Sequence, residues 1–259
     1  MRSARRLARR AFRAAQGLFL AEGPQAVREA LEVPGCVRDV FALPDAHEDL
    51  RAVAVAARIP WHLVDERALD SLTETVHPQG VVAVCGLVDV PLQEVLDPSP
   101  RLLAVCADIR DPGNAGTVIR CADAAGADGV VLAGDSVDPY NGKAVRASVG
   151  SLFHLPLAVE RDSPGTVRRA QAAGLTVLAA DGAGEVDLDD AADEGLLARP
   201  TAWLFGNEAR GLPDDLAALA DHRVRIPIHG RAESLNLATA AAVCLYASAR
   251  AQRHSDRGA

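Results

Sequence analysis

Short apolar runs alternate with helical stretches throughout the second half of the chain. The runs predict strands at residues 102–107, 129–133, 153–157, 175–180, 201–205 and 224–228. The patterns between several of them predict helices, for example at 115–125, 164–173 and about 236–252. Apolar strands that alternate with helices are typical of a parallel sheet covered on both faces. This half is therefore predicted to be an α/β domain with a mainly parallel sheet.

The first half has a smaller set of predicted elements of its own. Helices are predicted at 22–31 and 46–58, and strands at 37–43, 59–64 and 80–87. A segment with three prolines, residues 90–100, follows them and suits a linker. We therefore predict two domains, a small α/β domain in residues 1–95 and a larger one in residues 96–259. A chain of 259 residues is long enough to give each domain a core.

The composition is typical of a globular protein, with 49% hydrophobic and 24% charged residues. No apolar run approaches the ~20 residues that span a bilayer. The apolar stretch at 17–21 is too short for a secretory signal, so a cytoplasmic protein is expected. The five cysteines are scattered, without the Cys-x-x-Cys or Cys/His spacing of metal sites. They are expected to be structural thiols, and no metal site is predicted.

The net charge of −8 argues against binding to nucleic acid, which requires a cationic surface. The distribution of charge changes this picture, because the first thirteen residues contain no acidic residue and six arginines: Arg2, Arg5, Arg6, Arg9, Arg10 and Arg13. On a helix, Arg2, Arg6, Arg9 and Arg13 would share one face. Such a segment suits an arm that follows RNA phosphates, and a solvated tail is the alternative.

Three segments that follow predicted strands carry the candidate chemistry, at the sheet edge where ligands of parallel α/β folds usually bind. In the first segment, Pro112-Gly113 turns the chain and Asn114 is well placed to cap a helix. Arg120 projects from roughly the opposite side of that helix to its apolar stripe. Taken alone, this segment is also explained by a solvated surface arginine.

The second segment, residues 206–212, is a glycine-flanked loop that contains Glu208, and glycine permits close backbone approach to a ligand. The third segment, residues 226–240, places Ser234 before an alanine-rich helix as a plausible N-cap. A tight turn with a solvated Glu208, and capping by Ser234 and Asn236, are the alternatives. Neither a Gly-x-Gly-x-x-Gly nor a Walker sequence is present, which argues against a dinucleotide or nucleoside triphosphate site.

Together, the three segments resemble, in order and spacing, the three motifs of the SpoU (TrmH-type) branch of the SPOUT methyltransferases. The matching residues are Asn114 with Arg120, Gly206-Asn207-Glu208-x-x-Gly211-Leu212, and Ile226-Pro227 with Ser234-Leu235-Asn236. The resemblance covers essentially the whole second half, including 143–153. The first half is similar to the substrate-binding domain often fused to this family, at 19–23, 27–31 and 78–83. Two departures are mild, since Leu237 stands where valine is usual and Gly142 where proline is common.

The resemblance implies an enzyme that uses S-adenosylmethionine to methylate a ribose 2′-hydroxyl of RNA, with ribosomal RNA favoured over transfer RNA. It also implies a C-terminal trefoil knot, although knots are nearly absent from proteins in general, and a homodimer whose interface builds the active site. The implied cofactor contacts are Gly206, Ile226 and Leu235. The implied catalytic set is Arg120, Asn114, Glu208, Ser234 and Asn236.

The sequence alone leaves two questions open, the role of Arg120 and the choice between rival functions. Arg120 is either the general base, an awkward role for a side chain that holds its proton so strongly, or a charged fork that clamps the adjacent phosphate. In the second case Glu208 would orient Arg120, and Asn114 would hold the ribose or the arginine. The rival functions are a non-catalytic RNA-binding protein of the same fold and a nucleotide-dependent oxidoreductase. The complete set of motif residues argues against the first rival, and the missing glycine fingerprint argues against the second.

Overall fold

A computed structural model of the chain describes residues 2–73, 75 and 77–258. Its internal contacts divide the chain into two compact units. Unit 1 comprises Met1–Val88 and Asp138–His154, and unit 2 comprises Asp89–Val137 and Leu155–Ala259. The sequence predicted a single boundary after residue 95, whereas the contacts end the first unit at Val88 and add a later segment of the chain to it.

The elements of the described residues are numbered here in chain order. The strands are β1 (Leu18–Glu22), β2 (Val37–Ala42), β3 (Trp61–Leu63), β4 (Val81–Gly86), β5 (Leu102–Ala107), β6 (Gly129–Ala133), β7 (Leu157–Glu160), β8 (Thr176–Ala180), β9 (Val186–Asp187), β10 (Thr201–Phe205) and β11 (His222–Arg225). The α-helices are α1 (Arg2–Arg5), α2 (Arg10–Gln16), α3 (Pro24–Glu32), α4 (Glu48–Ala56), α5 (Glu66–Asp70), α6 (Leu92–Leu96), α7 (Pro112–Ala125), α8 (Gly142–Ser148), α9 (Ser163–Ala172), α10 (Leu188–Asp193), α11 (Asp214–Ala217) and α12 (Leu237–Gly258). Short 3₁₀ helices lie at Arg6–Ala8, Ser151–Phe153 and Leu196–Ala198.

In unit 1, the described strands form a sheet in the order β1-β4-β2-β3. β4 pairs antiparallel with β1 and β2, and β3 lies parallel to β2 at the edge. The helix predicted at 22–31 begins later, because Glu22 ends β1 and Gly23, with a φ of 92°, turns the chain. Pro24 then occupies the first turn of α3, where its missing N–H and fixed φ suit a helix start.

The arginine-rich N-terminal segment of unit 1 differs from the predicted single helix. Arg9 has an extended backbone and separates the Arg6–Ala8 turn from α2, so the four arginines predicted to share a helix face do not share one. Arg13 is buried, and its Nε and one terminal nitrogen donate to Asp138 Oδ2 at 2.9 and 2.6 Å. The other terminal nitrogen donates to two backbone carbonyls of the preceding turn. Arg13 therefore has a structural role. Among the side chains that the structure describes in residues 3–16, the exposed arginines are Arg5, Arg6, Arg9 and Arg10.

In unit 2, the described strands form a sheet in the order β7-β6-β5-β10-β8-β11-β9, and every neighbouring pair is parallel. The predicted mainly parallel α/β fold is therefore confirmed. β5, β6 and β10 are buried along their whole length, as expected for strands that read as continuous apolar runs. Because the strands are parallel, their carboxyl ends lie along one edge of this sheet.

Three predicted segments take a different form. The strand predicted at 153–157 does not form there, since Ser151–Phe153 is a 3₁₀ helix and β7 begins at Leu157. The predicted linker contains α6, and its apolar side chains Leu92, Val95 and Leu96 are buried in the unit 2 core. The prolines around it therefore frame a packed helix instead of a loose connection. The strand predicted at 224–228 is β11, which ends at Arg225, ahead of Pro227 with its missing backbone donor.

The last helix, α12, is fixed to the sheet of unit 2 by polar contacts as well as by small buried side chains. The indole Nε1 of Trp203, in β10, donates to Ser248 Oγ at 2.9 Å in a fully buried contact. The Gln252 amide donates to the carbonyls of Arg101 and Arg199, both at 2.9 Å. Arg253 donates to Ala125 O at the end of α7. These contacts hold α12 against α7 and β10, so the start of α12 has a defined position at the carboxyl edge.

Replacement of Arg13 tests its structural role in unit 1. Arg13→Ala is expected to lower the free energy of unfolding by about 3–5 kcal/mol, because it leaves a buried carboxylate without its charged partner. Urea denaturation followed by circular dichroism measures this loss. The control is Arg10→Ala, in the same segment but exposed, which should change the free energy of unfolding by less than about 0.5 kcal/mol. Equal effects of the two substitutions would contradict the assignment.

Candidate active site

A cavity of about 340 Å³ lies at the carboxyl ends of β8, β10 and β11 in unit 2. The three residues predicted to contact a cofactor, Gly206, Ile226 and Leu235, all line it. Ser234 and Glu208 of the predicted catalytic set line it as well. The structure therefore gathers residues from three separate segments around one cavity, at the sheet edge where ligands of parallel α/β folds bind.

The charged side chains around this cavity are all acidic. Asp181, Glu208 and Glu233 line it, and the described lining residues include neither lysine nor arginine. Asp181 Oδ2 accepts from Nε and a terminal nitrogen of Arg223 at 3.0 and 2.8 Å. Burial by itself would raise the pKa of Asp181, but the Ala183 backbone N–H and Arg223 together lower it below the usual value. The charged groups among the described lining residues are therefore carboxylates, and such a lining suits a ligand with positive charge.

The loop after β10 is closed tightly around Gly206. A Cβ atom at this position would overlap the backbone of Gly211 and Leu212. The loop closes through an antiparallel bridge in which Asn207 N donates to Gly211 O at 3.0 Å and Gly211 N donates to Asn207 O at 2.9 Å. Gly211 has a φ of 68°, a conformation that favours glycine. This tight turn holds Glu208 at its tip.

Glu208 accepts hydrogen bonds from three donors around the start of α7. The backbone N–H groups of Arg110 and Asp111 reach its carboxylate at 3.0 and 2.9 Å, and Asn114 Nδ2 reaches Oε1 at 3.1 Å. Burial opposes ionisation of Glu208, but these donors outweigh it and lower its pKa below the usual range. Because hydrogen bonds to the charged form favour ionisation, Glu208 is an acceptor at neutral pH.

The network continues from Asn114 to Asn236. Asn236 Nδ2 donates to Asn114 Oδ1 at 3.2 Å, and Asn236 Oδ1 accepts from Ala238 N at 2.9 Å. Asn236 therefore caps α12, whereas the sequence suggested Ser234 as the N-cap. Likewise, α7 is capped by Asp111, whose Oδ1 accepts from Asn114 N at 2.9 Å, and Asn114 lies inside the first turn instead of capping it. Glu208, Asn114 and Asn236 thus form one hydrogen-bonded chain.

Arg120 and Ser234 lie outside this hydrogen-bonded network. Arg120 is exposed on α7, and within the described residues its side chain makes neither a hydrogen bond nor an ion pair. It follows Asn114 by six residues, which at about 100° per residue turns it away from the face that carries Asn114. Ser234 is exposed at the rim of the cavity. The structure therefore brings together four of the five predicted catalytic residues near the cavity and leaves Arg120 on the helix surface.

Two further residues belong to this region that the sequence analysis did not name as site residues. Asn207 Nδ2 donates to Asp108 O at 2.8 Å, and its Oδ1 accepts from Ala209 N at 3.0 Å, so it joins the two loops that meet at Glu208. Asp111 caps α7 and contributes a backbone donor. An aspartate immediately before a proline at the first helical position is a capping signature, and it was the available signal for Asp111. The available signal for Asn207 was its place in the family motif, between Gly206 and Glu208.

Comparisons with known proteins agree with this geometry. Residues 101–246 match the SpoU rRNA Methylase family, and residues 1–83 match the MRM3-like substrate binding domain. The chain is 36% identical over 233 residues to the 23S rRNA (guanosine(2553)-2'-O)-methyltransferase RlmP of Bacillus subtilis (strain 168), which covers 88% of this chain and 87% of that protein.

Solved structures give the same result. The AdoMet-bound rRNA methyltransferase from Sinorhizobium meliloti has a TM-score of 0.83 and 34% identity, with 96% of this chain and 93% of that chain covered. The SpoU methyltransferase AviRb from Streptomyces viridochromogenes, in complex with AdoMet, has a TM-score of 0.86 and 33% identity, with 98% and 97% covered. The similarity therefore extends over both units of the chain.

The lowered pKa of Glu208 predicts how the network depends on pH. Its folded-state pKa lies below the usual 4.5 of a glutamate, so the carboxylate stabilises the fold above that value and loses this contribution as pH falls through the lower pKa. The difference in free energy of unfolding between the wild type and Glu208→Gln should therefore be largest near neutral pH and shrink in acid. Urea denaturation at several pH values between about 7 and 3 measures it. Glu233→Gln, in the same cavity, is the control, and a Glu208→Gln difference independent of pH would contradict the assignment.

Proposed function

Because the chain belongs to the SpoU rRNA methylase family, we propose that it methylates a ribose 2′-hydroxyl of ribosomal RNA, with S-adenosylmethionine as the methyl donor. The proposal rests on the hydrogen-bonded network of Glu208, Asn114 and Asn236, which lies beside a cavity lined by Gly206 and Leu235. RlmP is named as a 23S ribosomal RNA methyltransferase and the Sinorhizobium meliloti protein as an rRNA methyltransferase, which favours ribosomal over transfer RNA as the substrate. This substrate places the enzyme in the cytoplasm.

The cavity residues fit S-adenosylmethionine on three physical grounds. The volume of about 340 Å³ falls in the range of small-molecule sites. The missing Cβ of Gly206 allows the loop backbone to close tightly at the cavity, which fixes the position of its backbone groups for a ligand. The lining carboxylates suit a ligand that carries a sulfonium and an ammonium group. When bound, the cofactor supplies an electrophilic methyl group, and the protein supplies binding, orientation and electrostatics.

The proposal assigns Arg120 to the RNA. An arginine exposed to water keeps its charge, and its planar fork binds phosphate in a bidentate manner. A role as general base would require desolvation, which the described surroundings of Arg120 in unit 2 do not provide. We therefore assign Arg120 to a phosphate next to the target ribose, where it contributes to RNA affinity.

Assembly and topology complete the proposal. After β10 the chain passes to β11, on the far side of β8, and α12 returns to pack on α7 and β10. This path supports the trefoil knot expected for the family.

The exposed face of α12 carries Val243 and Tyr246, which are 38% and 49% exposed. Apolar side chains on a helix that packs beside the Arg120 helix support a homodimer formed through this face.

Unit 1 is assigned to RNA binding, as the match of residues 1–83 to a substrate-binding domain supports. Its basic and acidic residues are nearly equal in number, so the net charge of −8 belongs almost wholly to unit 2. The exposed arginines at the N-terminus give unit 1 a local cationic surface. This assignment refers to the unit seen in the structure, which includes Asp138–His154 as well as the first part of the chain.

A direct assay tests the proposed reaction. The protein is incubated with isotopically labelled S-adenosylmethionine and with total RNA from cells that lack its gene. Alkali-resistant linkages then locate any 2′-O-methyl group. Label is expected at one position of the large ribosomal RNA. Label on a base, label on transfer RNA, or absence of transfer by a folded protein that binds the cofactor would each contradict the proposal.

A matched pair of glycines tests the cofactor site. Gly206→Ala is expected to weaken S-adenosylmethionine binding at least about tenfold, because the new methyl group would displace the backbone of the loop. Gly230→Ala is the control, since a Cβ there meets open space. Isothermal calorimetry with S-adenosylmethionine measures both, and circular dichroism checks the fold. Equal affinities of the two variants would contradict the placement of the cofactor.

Kinetics separate the two roles of Arg120. If Arg120 is a phosphate clamp, Arg120→Ala should weaken RNA binding about 10- to 100-fold, and Arg120→Lys should lose less RNA affinity. The single-turnover rates of both variants at saturating RNA should stay near the wild-type rate. A general base would instead give a roughly 10²–10⁴-fold fall in single-turnover rate in both variants, with RNA affinity intact. Arg168→Ala, an exposed arginine of α9, is the control. Wild-type behaviour of Arg120→Ala in both measurements would contradict both roles.

A further inference from the structure

Unit 1 contains a cleft on the face of its sheet that the proposed reaction does not use. The cleft has a volume of about 450 Å³ and is called here the sheet-face cleft. Asp39, Phe41 and His62 of the sheet line it, Leu63 lies at its edge, and Ser3 with Leu7 of the N-terminal segment forms the opposite wall. Asp39, Phe41 and His62 share one face of the sheet, because Phe41 is paired with His62 across β2 and β3 and lies two residues from Asp39.

The imidazole of His62 is fixed in this cleft by two contacts. Its ring stacks on the ring of Phe41, with centroids 5.0 Å apart and planes inclined by 21°. Its Nε2 lies 2.8 Å from Asp39 Oδ1. Phe41 is buried, but 45% of the His62 side chain remains exposed. The result is a flat aromatic surface, held in one orientation, that faces the cleft at the edge of the sheet.

The chemistry of the cleft matches an unpaired nucleobase. A base has apolar faces that stack on a fixed aromatic ring and a polar edge that carries hydrogen-bond donors. The face of a β-sheet that displays aromatic side chains is a recurrent platform for single-stranded RNA. Asp39, which is 40% exposed, offers carboxylate oxygens to the amino group of adenine, guanine or cytosine. Leu63, which is 56% exposed, adds an apolar residue at the edge of the cleft.

The segment that forms the opposite wall also carries positive charge. Arg5, Arg9 and Arg10 are exposed and lie in the same short stretch as Ser3 and Leu7. Arg13 is committed to Asp138, so it does not contribute to this surface. Exposed guanidinium groups beside a stacking surface complement the phosphates on either side of a bound base.

A protein segment is a poorer occupant of this cleft. β3 is the edge strand and could in principle accept an added strand, but it is only three residues long. The row of backbone groups that it offers is therefore too short to give an added strand much affinity. The arginines beside the cleft would in addition have no function toward a neutral peptide. The observations favour RNA.

We propose that the sheet-face cleft binds an unpaired nucleobase of the RNA substrate, stacked on His62, while Arg5, Arg9 and Arg10 bind the flanking phosphates. The inference rests on the proposed function for the identity of RNA as substrate. It adds to that function a second contact with single-stranded RNA, made by unit 1. His62 and Leu63 are therefore binding residues, separate from the methyl-transfer site.

The test measures RNA affinity of the full-length protein by fluorescence anisotropy. The probes are a labelled single-stranded oligoribonucleotide of mixed sequence and a fully paired duplex of the same sequence. His62→Ala should weaken binding of the single strand about 5- to 100-fold and leave duplex binding unchanged, since a paired base is not available to stack. His62→Phe keeps a ring and should stay within about threefold of the wild type.

Further variants separate stacking from charge. Joint replacement of Arg5, Arg9 and Arg10 by alanine should reduce the slope of log affinity against log salt by about 0.7 for each phosphate that is no longer neutralised, whereas His62→Ala should leave the slope unchanged. Leu63→Ser should weaken binding, and Val55→Ser, at a similarly exposed apolar position of α4, is its matched control. If His62→Ala does not fold, His62→Phe and the Leu63/Val55 pair carry the test.

Three results would overturn the inference. They are unchanged single-strand affinity in His62→Ala, an equal loss for single-stranded and duplex RNA, and an equal loss in Leu63→Ser and Val55→Ser. A failure of the proposed function has a different signature. In that case the wild-type protein gives no transfer from S-adenosylmethionine to ribosomal RNA, whatever the affinities of the His62 variants are.

Discussion

The carboxyl edge of unit 2 depends on one acceptor, the carboxylate of Glu208. β5 and β10 are adjacent parallel strands, so the loops that follow them meet at the same edge. The loop after β5 leads into α7, and the N–H groups at a helix start have no partners within the helix. Glu208 accepts from the N–H of Asp111, the N-cap residue, from the N–H of Arg110 just before it and from the Asn114 amide. The partial positive charge of the helix start favours the ionised form of Glu208. Asn114 then orients Asn236, which caps α12. One network thus sets the relative positions of the three loops around the cavity.

Unit 1 also contains a buried charged group whose hydrogen-bond partners come from distant parts of the sequence. The Arg13 guanidinium is almost fully buried, and its donors are met by Asp138 and by two carbonyls of the preceding turn. Asp138 comes from the segment that joins unit 1 from much later in the chain. Breaking such a pair is costly because it leaves a charge without a partner in a medium of low dielectric constant. This contact therefore ties the two sequence segments of unit 1 together, and it explains why a boundary drawn only from the proline-rich stretch did not match the contacts.

Sequence reasoning identified β5, β6 and β10 because buried parallel strands are continuous apolar runs, and these three strands lie where those runs predicted them. It missed the two-residue edge strand β9, and it placed the strand that begins at Leu157 too early. It named Glu208, Asn114 and Asn236 through their resemblance to family motifs, but it did not foresee their partners. Two of the donors to Glu208 are backbone groups 97 and 98 residues away, and a backbone N–H has no sequence signature. Arg13 could not be told from its exposed neighbours for a similar reason. The Arg13 side chain pairs with a carboxylate that lies 125 residues later in the chain, and this pairing accompanies its burial.

The distribution of charge between the units resolves the conflict between a net charge of −8 and an RNA substrate. Screening limits the reach of an exposed charge to about 8 Å at physiological ionic strength, so a phosphate responds to the side chains near it and not to the total. Unit 2 concentrates carboxylates around the cavity, where they favour a cationic cofactor. The same carboxylates would repel RNA, so phosphates require cations that stand clear of them. Arg120 meets this condition, because it is exposed on the surface of α7 and lies outside the Glu208 network. In unit 1, the exposed arginines occupy a segment of the chain without acidic residues, so they have no carboxylate among their sequence neighbours.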